Sequence, residues 1–140
     1  MRLLAIVLTV AVITLAYIGL ARPYVKDASY VMTAPDVGMV YFTFVNPTPF
    51  TRCIIGAELE KPHTATAELH KTVVNGTVVA MLPVDKVCVA PFSTASFRHL
   101  TYHLMIYGAV EGTIRVAIRL DDGAKIQFEA PPTTLEIHIH

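Results

Sequence analysis

From residue 24 onward, closely spaced turn residues divide the chain into short apolar or alternating runs. These turn signals are Pro35-Asp36, Asn46-Pro47, Asn75-Gly76, Glu111-Gly112 and Asp121-Asp122-Gly123. Asn-Gly or Asp-Gly between β-branched or alternating runs is the strongest short-range signal for a hairpin. Many evenly spaced short strands in a chain of 140 residues predict one all-β domain, a β-sandwich or Greek-key barrel.

The pattern places a strand between each pair of turns, and no stretch after residue 22 shows helical periodicity with caps. The predicted strands are Ala28–Met32, Met39–Val45, Cys53–Glu60, Ala67–Val74, Thr77–Val84, Thr94–Phe97, Tyr102–Tyr107, Thr113–Leu120, Lys125–Glu129 and, at the C-terminus, Leu135–His140. A sandwich of this kind does not by itself specify a function.

The first 21 residues differ from the rest of the chain. Met1–Ala21 carries one charge, Arg2, and is long and apolar enough to cross a bilayer as a helix. It is also longer than the usual signal-peptide core of about 7–15 residues, although Gly19-Leu20-Ala21 suits a signal peptidase. We favour an uncleaved membrane anchor over a cleaved signal; either places the domain, residues 22–132, outside the cytoplasm. Residues 133–140 form a tail.

Composition excludes several functional classes. Eleven basic and eleven acidic residues give a net charge of zero and are scattered, so neither nucleic-acid nor polybasic lipid binding is indicated. There is no Ser or Cys nucleophile beside a His, no useful carboxylate pair and no phosphate-binding glycine loop. The sequence therefore predicts a protein that is not an enzyme.

Four residues form a candidate metal site: His70, Met81, His103 and Met105, spaced His-x10-Met-x21-His-x-Met. Two imidazoles and two thioethers form a soft ligand set that suits Cu(I), whereas zinc usually takes thiolate or carboxylate and calcium takes oxygen. An Asn75-Gly76 type I′ turn would place His70 directly opposite Met81, with Cβ atoms roughly 5 Å apart. His103 and Met105 share a face of one strand.

The same spacing resembles, gap for gap, the signature of the periplasmic copper-A chaperone (PCuAC) family. AELHKTVVNGTVVAMLPV is similar to that family's His-hairpin-Met segment, and YHLMIYGAVEGTIRVAIRLDDG to its His-x-Met strand and last hairpin. The resemblance covers roughly Val25 to Ala130 and implies a cupredoxin-like fold. It also implies delivery of Cu(I) to the copper-A subunit of a respiratory oxidase or to a thiol-bearing assembly factor. One departure is Arg98-His99-Leu100-Thr101, where the family commonly has a Pro-Gly-Gly turn.

Other functions use the same residues differently. A copper-sequestering or resistance protein would have the same site, and a structural or adhesive sandwich would bind no metal. A blue-copper centre needs a Cys ligand, but neither Cys53 nor Cys88 is adjacent to His103-Leu104-Met105.

The two cysteines and the tail leave alternatives open. Outside the cytoplasm Cys53 and Cys88 could form a disulfide, remain buried thiols or join a thiol-based copper relay. The tail pair His138 and His140 suits a second site, for Cu(II), and the tails of some members of the PCuAC family bind such a second copper ion. The pair could equally be an ordinary strand end or an expression remnant.

Overall fold

The computed structural model describes residues 2–98 and 100–133, with only the backbone described at Ile18. One helix, α1, precedes the strands. The elements are α1 Arg2–Leu20, β1 Tyr24–Ala34, β2 Val37–Asn46, β3 Arg52–Lys61, β4 Thr66–Asn75, β5 Val78–Pro83, β6 Val87–Val89, β7 Ser93–Phe97, β8 Tyr102–Tyr107, β9 Ile114–Leu120 and β10 Lys125–Ala130.

Within residues 2–98 and 100–133 the strands form two antiparallel sheets. The first sheet has the order β1-β2-β8-β4-β5. Strand β7 also pairs with β2, along its second half, whereas β8 pairs with the first half of β2. The second sheet has the order β10-β9-β3-β6. The prediction of an all-β sandwich is confirmed.

The core lies between the two sheets, and alternate residues of the central strands point into it. Phe42 and Phe97 stack in the first sheet with ring centroids 4.2 Å apart, and Phe128 of β10 approaches Phe42 at 5.2 Å. From the same sheet, Leu69 and Leu104 also belong to the core. The alternate residues of β4 and β8 therefore lie on the opposite face, away from the second sheet.

The predicted strands agree with the observed ones over the described residues. Each predicted strand from Ala28 to Glu129 overlaps an observed strand. The three-residue strand β6 was not predicted, and the prediction over Leu135–His140 lies outside the described residues. The strand β1 also begins earlier than predicted, at Tyr24, because a bulge between Lys26 and Ser29 interrupts its alternation.

The apolar N-terminal segment is helical over Arg2–Leu20, and the hydroxyl of Tyr17 donates a hydrogen bond to the carbonyl oxygen of Pro47 at 2.8 Å. By length and hydropathy, no helix in the described part of the chain qualifies as able to cross a membrane.

A disulfide joins the two cysteines in the second sheet. Cys53 of β3 lies directly opposite Cys88 of β6, and their sulfur atoms are bonded. The bridge closes a sequence separation of 35 residues. Because both cysteines of the chain are in this bond, neither offers a free thiolate, so the alternatives of a blue-copper Cys ligand and of buried free thiols do not fit this structure.

Candidate metal centre

Two neighbouring strands in the middle of the first sheet carry the predicted histidines. The β4–β8 register places His70 directly opposite His103 and Leu69 directly opposite Leu104. Leu69 and Leu104 face the core, so the histidines lie on the other face. We call this the outer face and define it by Met39, Glu68, His70, His103 and Met105.

The outer face is buried at its centre although it points away from the second sheet. His103 is fully buried, His70 is 5% exposed and Met105 is 8% exposed. The two imidazole ring centroids are 6.1 Å apart. Met105, two residues after His103 on β8, lies directly opposite Glu68 of β4. Three of the four predicted ligands therefore lie in one buried group.

The predicted register of the β4–β5 hairpin is wrong. Thr72, and not His70, lies opposite Met81, and His70 lies opposite Pro83. The pair Asn75–Val78 closes the hairpin, so its two turn residues are Gly76 and Thr77 rather than Asn75 and Gly76. Gly76 has φ +62°, whereas Asn75 and Thr77 are not among the residues with positive φ. A glycine at the first central position with positive φ is typical of a type II′ turn, not of the predicted type I′ turn.

The displaced register leaves Met81 on the same face as His70 but farther from the other donors. Moving the turn by one residue shifts the pairing by two, which preserves the face of every side chain. Met81 becomes a diagonal neighbour of His70, at about 7–8 Å between Cα atoms. In a flat sheet its Cα would lie roughly 17 Å from that of Met105, using spacings of about 3.4 Å per residue and 4.8 Å per strand. Met81 is also 38% exposed.

Polar groups on the same face hold one nitrogen of His70. The Nε2 atom lies 3.2 Å from Glu68 Oε2 and 3.4 Å from the Tyr107 hydroxyl oxygen. An ionised carboxylate only accepts hydrogen bonds, so the bond to Glu68 requires a hydrogen on Nε2. In neutral His70 the lone pair is then on Nδ1. That atom is buried and has no hydrogen-bond partner among the described residues.

Tyr107 remains a neutral phenol beside this histidine. Burial raises the pKa of Tyr107 above its usual value, and the nearby negative charge of Glu68 raises it further. The ring centroids of His70 and Tyr107 are 6.2 Å apart. Glu68 and Tyr107 thus act on the orientation and tautomer of His70 without adding a second negative charge.

The loop before β8 departs from the Pro-Gly-Gly pattern, and Thr101 holds its described ends together. The Arg98 amide donates to Thr101 Oγ1 at 3.0 Å, and the Thr101 amide donates to the Arg98 carbonyl oxygen at 3.1 Å. The Thr101 hydroxyl also donates to the carbonyl oxygen of Ser96, and the Thr101 carbonyl accepts from the Thr72 amide at 3.0 Å. These bonds fix the start of β8 against β4, two residues before His103.

The remaining candidates lie elsewhere. Cys53 and Cys88 are in the second sheet, across the sandwich from the outer face. His138, His140 and the whole predicted tail site lie outside the described residues. The described residues contain no group of three or more His, Cys, Asp or Glu side chains that could hold a metal ion.

Comparison with known proteins identifies the fold. No family profile and no curated protein sequence matches the chain significantly. Among solved structures, a copper-bound PCuAC domain from PmoF2 superposes with a TM-score of 0.61 at 9% identity, covering 79% of this chain and 91% of that one. The apo PCuAC domain from PmoF1 has a TM-score of 0.58 at 12% identity, with coverages of 81% and 91%. The chain has the fold of a PCuAC domain. The predicted cupredoxin-like fold, and the fold resemblance to that family, are confirmed.

Three residues of the outer face are not among the ligands predicted from the sequence. Glu68 and Tyr107 contact His70, and Met39 of β2 lies directly opposite Met105. Glu68 stands two residues before His70, and Tyr107 two residues after Met105. Strand alternation alone puts each on the same face as its predicted ligand. Met39 has no such signal, because only the β2–β8 register brings it to the site.

Proposed function

We propose that this chain is an extracytoplasmic copper(I) carrier that binds one Cu(I) through His70, His103, Met105 and Met81. The observation that carries the proposal is the buried Nδ1 atom of His70, which has no hydrogen-bond partner in the described part of the chain. A buried polar atom without a partner costs about 1–3 kcal/mol, so such atoms call for an explanation. The neighbouring donors on the same face are the His103 imidazole and the Met105 thioether, and a soft metal ion bound with them would satisfy His70 Nδ1.

The donor chemistry selects copper(I) over the common alternatives. Imidazole and thioether are neutral, soft or borderline donors, and Met sulfur suits Cu(I). Structural zinc sites are usually built from thiolate and imidazole, and calcium takes oxygen ligands. The nearest carboxylate, Glu68, contacts the histidine ring, as an outer partner of a metal-bound histidine does.

The proposed carrier releases copper to a partner with stronger ligands. Neutral ligands add no negative charge to hold Cu(I), so a thiolate acceptor can outcompete them. Met81 is 38% exposed on the edge strand β5, which gives an incoming ligand access beside His70. We propose as acceptors the copper-A subunit of a haem-copper oxidase or a thiol-bearing assembly factor. The copper-bound PCuAC domain among the similar structures supports the choice of metal.

The runner-up is a copper-sequestering protein with the same site. The two functions differ in how fast copper leaves, so transfer from the loaded chain to an apo copper-A domain separates them. A carrier empties in minutes or less when the acceptor is present, whereas a sequestering protein retains its copper. A structural sandwich would bind no copper.

The test is a titration of the whole chain, with its Cys53–Cys88 disulfide intact, with Cu(I) under anaerobic conditions against a chromophoric chelator. We expect one tight equivalent that is lost in the double variant His103→Ala, Met105→Ala. Deletion of Ile137–His140 should leave that equivalent intact and remove only a second, Cu(II) equivalent if His138 and His140 bind one. Binding that is absent, or indifferent to the double variant, would refute the proposal.

A further inference from the structure

The outer face carries a thioether that the His-x10-Met-x21-His-x-Met spacing does not include. Met39 of β2 pairs directly with Met105 of β8, so the two side chains project from the same face. Their Cβ atoms are expected about 4.5–5.5 Å apart, as for directly opposed residues. Met39 is 7% exposed, as buried as Met105.

Met39 is better placed than Met81 to join the three buried donors. It is the diagonal neighbour of His103, as Met81 is of His70, so each lies at about 7–8 Å from one histidine. Met39 is, however, directly beside Met105, whereas Met81 is two strands and four residues along from it. Only Met81 has to move with its hairpin before it can share an ion with Met105.

The surroundings of Met39 restrict its side chain. Its sulfur lies 3.9 Å from the hydroxyl of Tyr41, two residues along β2 on the same face. Burial raises the pKa of Tyr41, opposed by the positive charge of Arg98, so this hydroxyl is neutral at physiological pH. On the far side of β2, Val31 of β1 lies directly opposite Met39 and is buried. The Tyr41 hydroxyl thus holds the thioether sulfur on the outer face, and the buried Val31 flanks Met39 on the neighbouring strand.

We propose that Met39 is a thioether ligand of the copper(I) site, completing a buried set with His70, His103 and Met105, while Met81 is the exposed ligand at which copper enters and leaves. This inference rests on the proposed function of the same site. The buried set then has four donors with Met39 already adjacent to Met105, and the hairpin movement that Met81 needs is confined to entry and release of copper. The bond formed is donation of a sulfur lone pair to Cu(I), with no change in oxidation state.

The test uses the full chain with its methionine methyl groups labelled with carbon-13. The sequence has five methionines, so assignment by single Met→Leu variants is direct. Addition of one equivalent of Cu(I) should shift the methyl signals of Met39 and Met105. Met32 is the matched control, because it lies opposite Gly38, packs against the core and is on the other face of the same strand pair.

Affinity supplies the second measurement. Met39→Leu conserves volume and should leave the thermal unfolding of the apo protein close to that of the parent. It should weaken Cu(I) binding at least about tenfold, because even the loss of an outer partner of a metal ligand typically costs about 10–100-fold. X-ray absorption should count one sulfur neighbour fewer, and Met32→Leu should change neither quantity.

The outcomes distinguish failure of the proposal for Met39 from failure of the proposed copper-binding function. If Met39→Leu binds Cu(I) as the parent does while His103→Ala abolishes binding, the site is real and Met39 is not a ligand. If His103→Ala and Met105→Leu also bind normally, the proposed function fails as well. A Met39 methyl signal that does not move when copper is bound would overturn the inference even if affinity fell.

Discussion

Replacement of Glu68 by alanine tests whether the carboxylate sets the tautomer of the proposed ligand His70. The carboxylate accepts from Nε2 at 3.2 Å, which places the lone pair on the buried Nδ1 atom. Without it, Tyr107 is the remaining described partner of Nε2, at a longer 3.4 Å. A phenol can donate to an unprotonated Nε2, so we expect the other tautomer, with its hydrogen on Nδ1, to become populated.

The expected loss follows from the exposure of this carboxylate. Removing an outer partner of a metal-bound histidine typically costs 10–100-fold in affinity. The side chain of Glu68 is 56% exposed, and water can replace part of its bond. We therefore expect the lower end, about tenfold, which corresponds to about 1.4 kcal/mol in binding free energy. Glu68→Gln keeps an accepting oxygen, so its Cu(I) affinity should fall much less.

Two measurements check this expectation on the same samples. Nitrogen-15 chemical shifts of the His70 ring report which nitrogen carries the hydrogen in the apo protein, and chelator competition reports the Cu(I) affinity. If Glu68→Ala lowers the affinity while the ring tautomer is unchanged, the reasoning from tautomer to affinity is wrong. An affinity equal to that of the parent would show that Glu68 has no part in the site.

Two further predictions concern the second sheet. The double variant Cys53→Ala, Cys88→Ala should lower the free energy of unfolding by about 3–4 kcal/mol in the chain-entropy model, given the 35-residue separation. Urea denaturation measures this loss of stability. A Cu(I) titration of the same variant should still find one copper equivalent, and loss of that equivalent would instead support a thiol relay. Hydrogen bonding to Gln127, with Lys125 nearby, lowers the pKa of Glu60, so its stabilising contribution is present above the unfolded pKa and is lost as pH falls through the folded pKa. On acidification, the urea denaturation midpoint of Glu60→Gln should therefore fall less than that of the parent. Parallel plots of midpoint against pH for the two proteins would contradict this account.

Strand positions could be predicted because alternation and turn residues act locally. In the run from Thr113 to Leu120 the aliphatic residues Ile114, Val116, Ile118 and Leu120 recur at every second position, and all four are buried in the observed strand β9. Strand β6 escaped detection because three residues, Val87–Val89, are too few to show a period. Strand β1 was shortened in the prediction because Asp27, with φ +55°, interrupts the alternation inside an otherwise continuous strand.

The register of the β4–β5 hairpin could not be predicted from its turn residues alone. Gly76 can occupy the second position of a type I′ turn or the first position of a type II′ turn, and both are compatible with its conformational freedom. The observed choice pairs Val74 with Val79, whereas the predicted one would pair Val74 with Thr77. Which residues pair across the two strands is thus not encoded by the turn residues alone. The predicted faces of the donors were still correct because the shift was an even number of residues.

On the proposed function, the location of the donors on the outer face separates copper binding from the stability of the fold. Leu69, Leu104 and Ile106 hold the sandwich together from one side of β4 and β8, and the donors occupy the other side. Binding or loss of a metal ion at the donors therefore leaves the hydrophobic packing of these strands in place. On the proposed function, the chain can be emptied of its ion without melting, so one folded scaffold serves repeated rounds of loading and release.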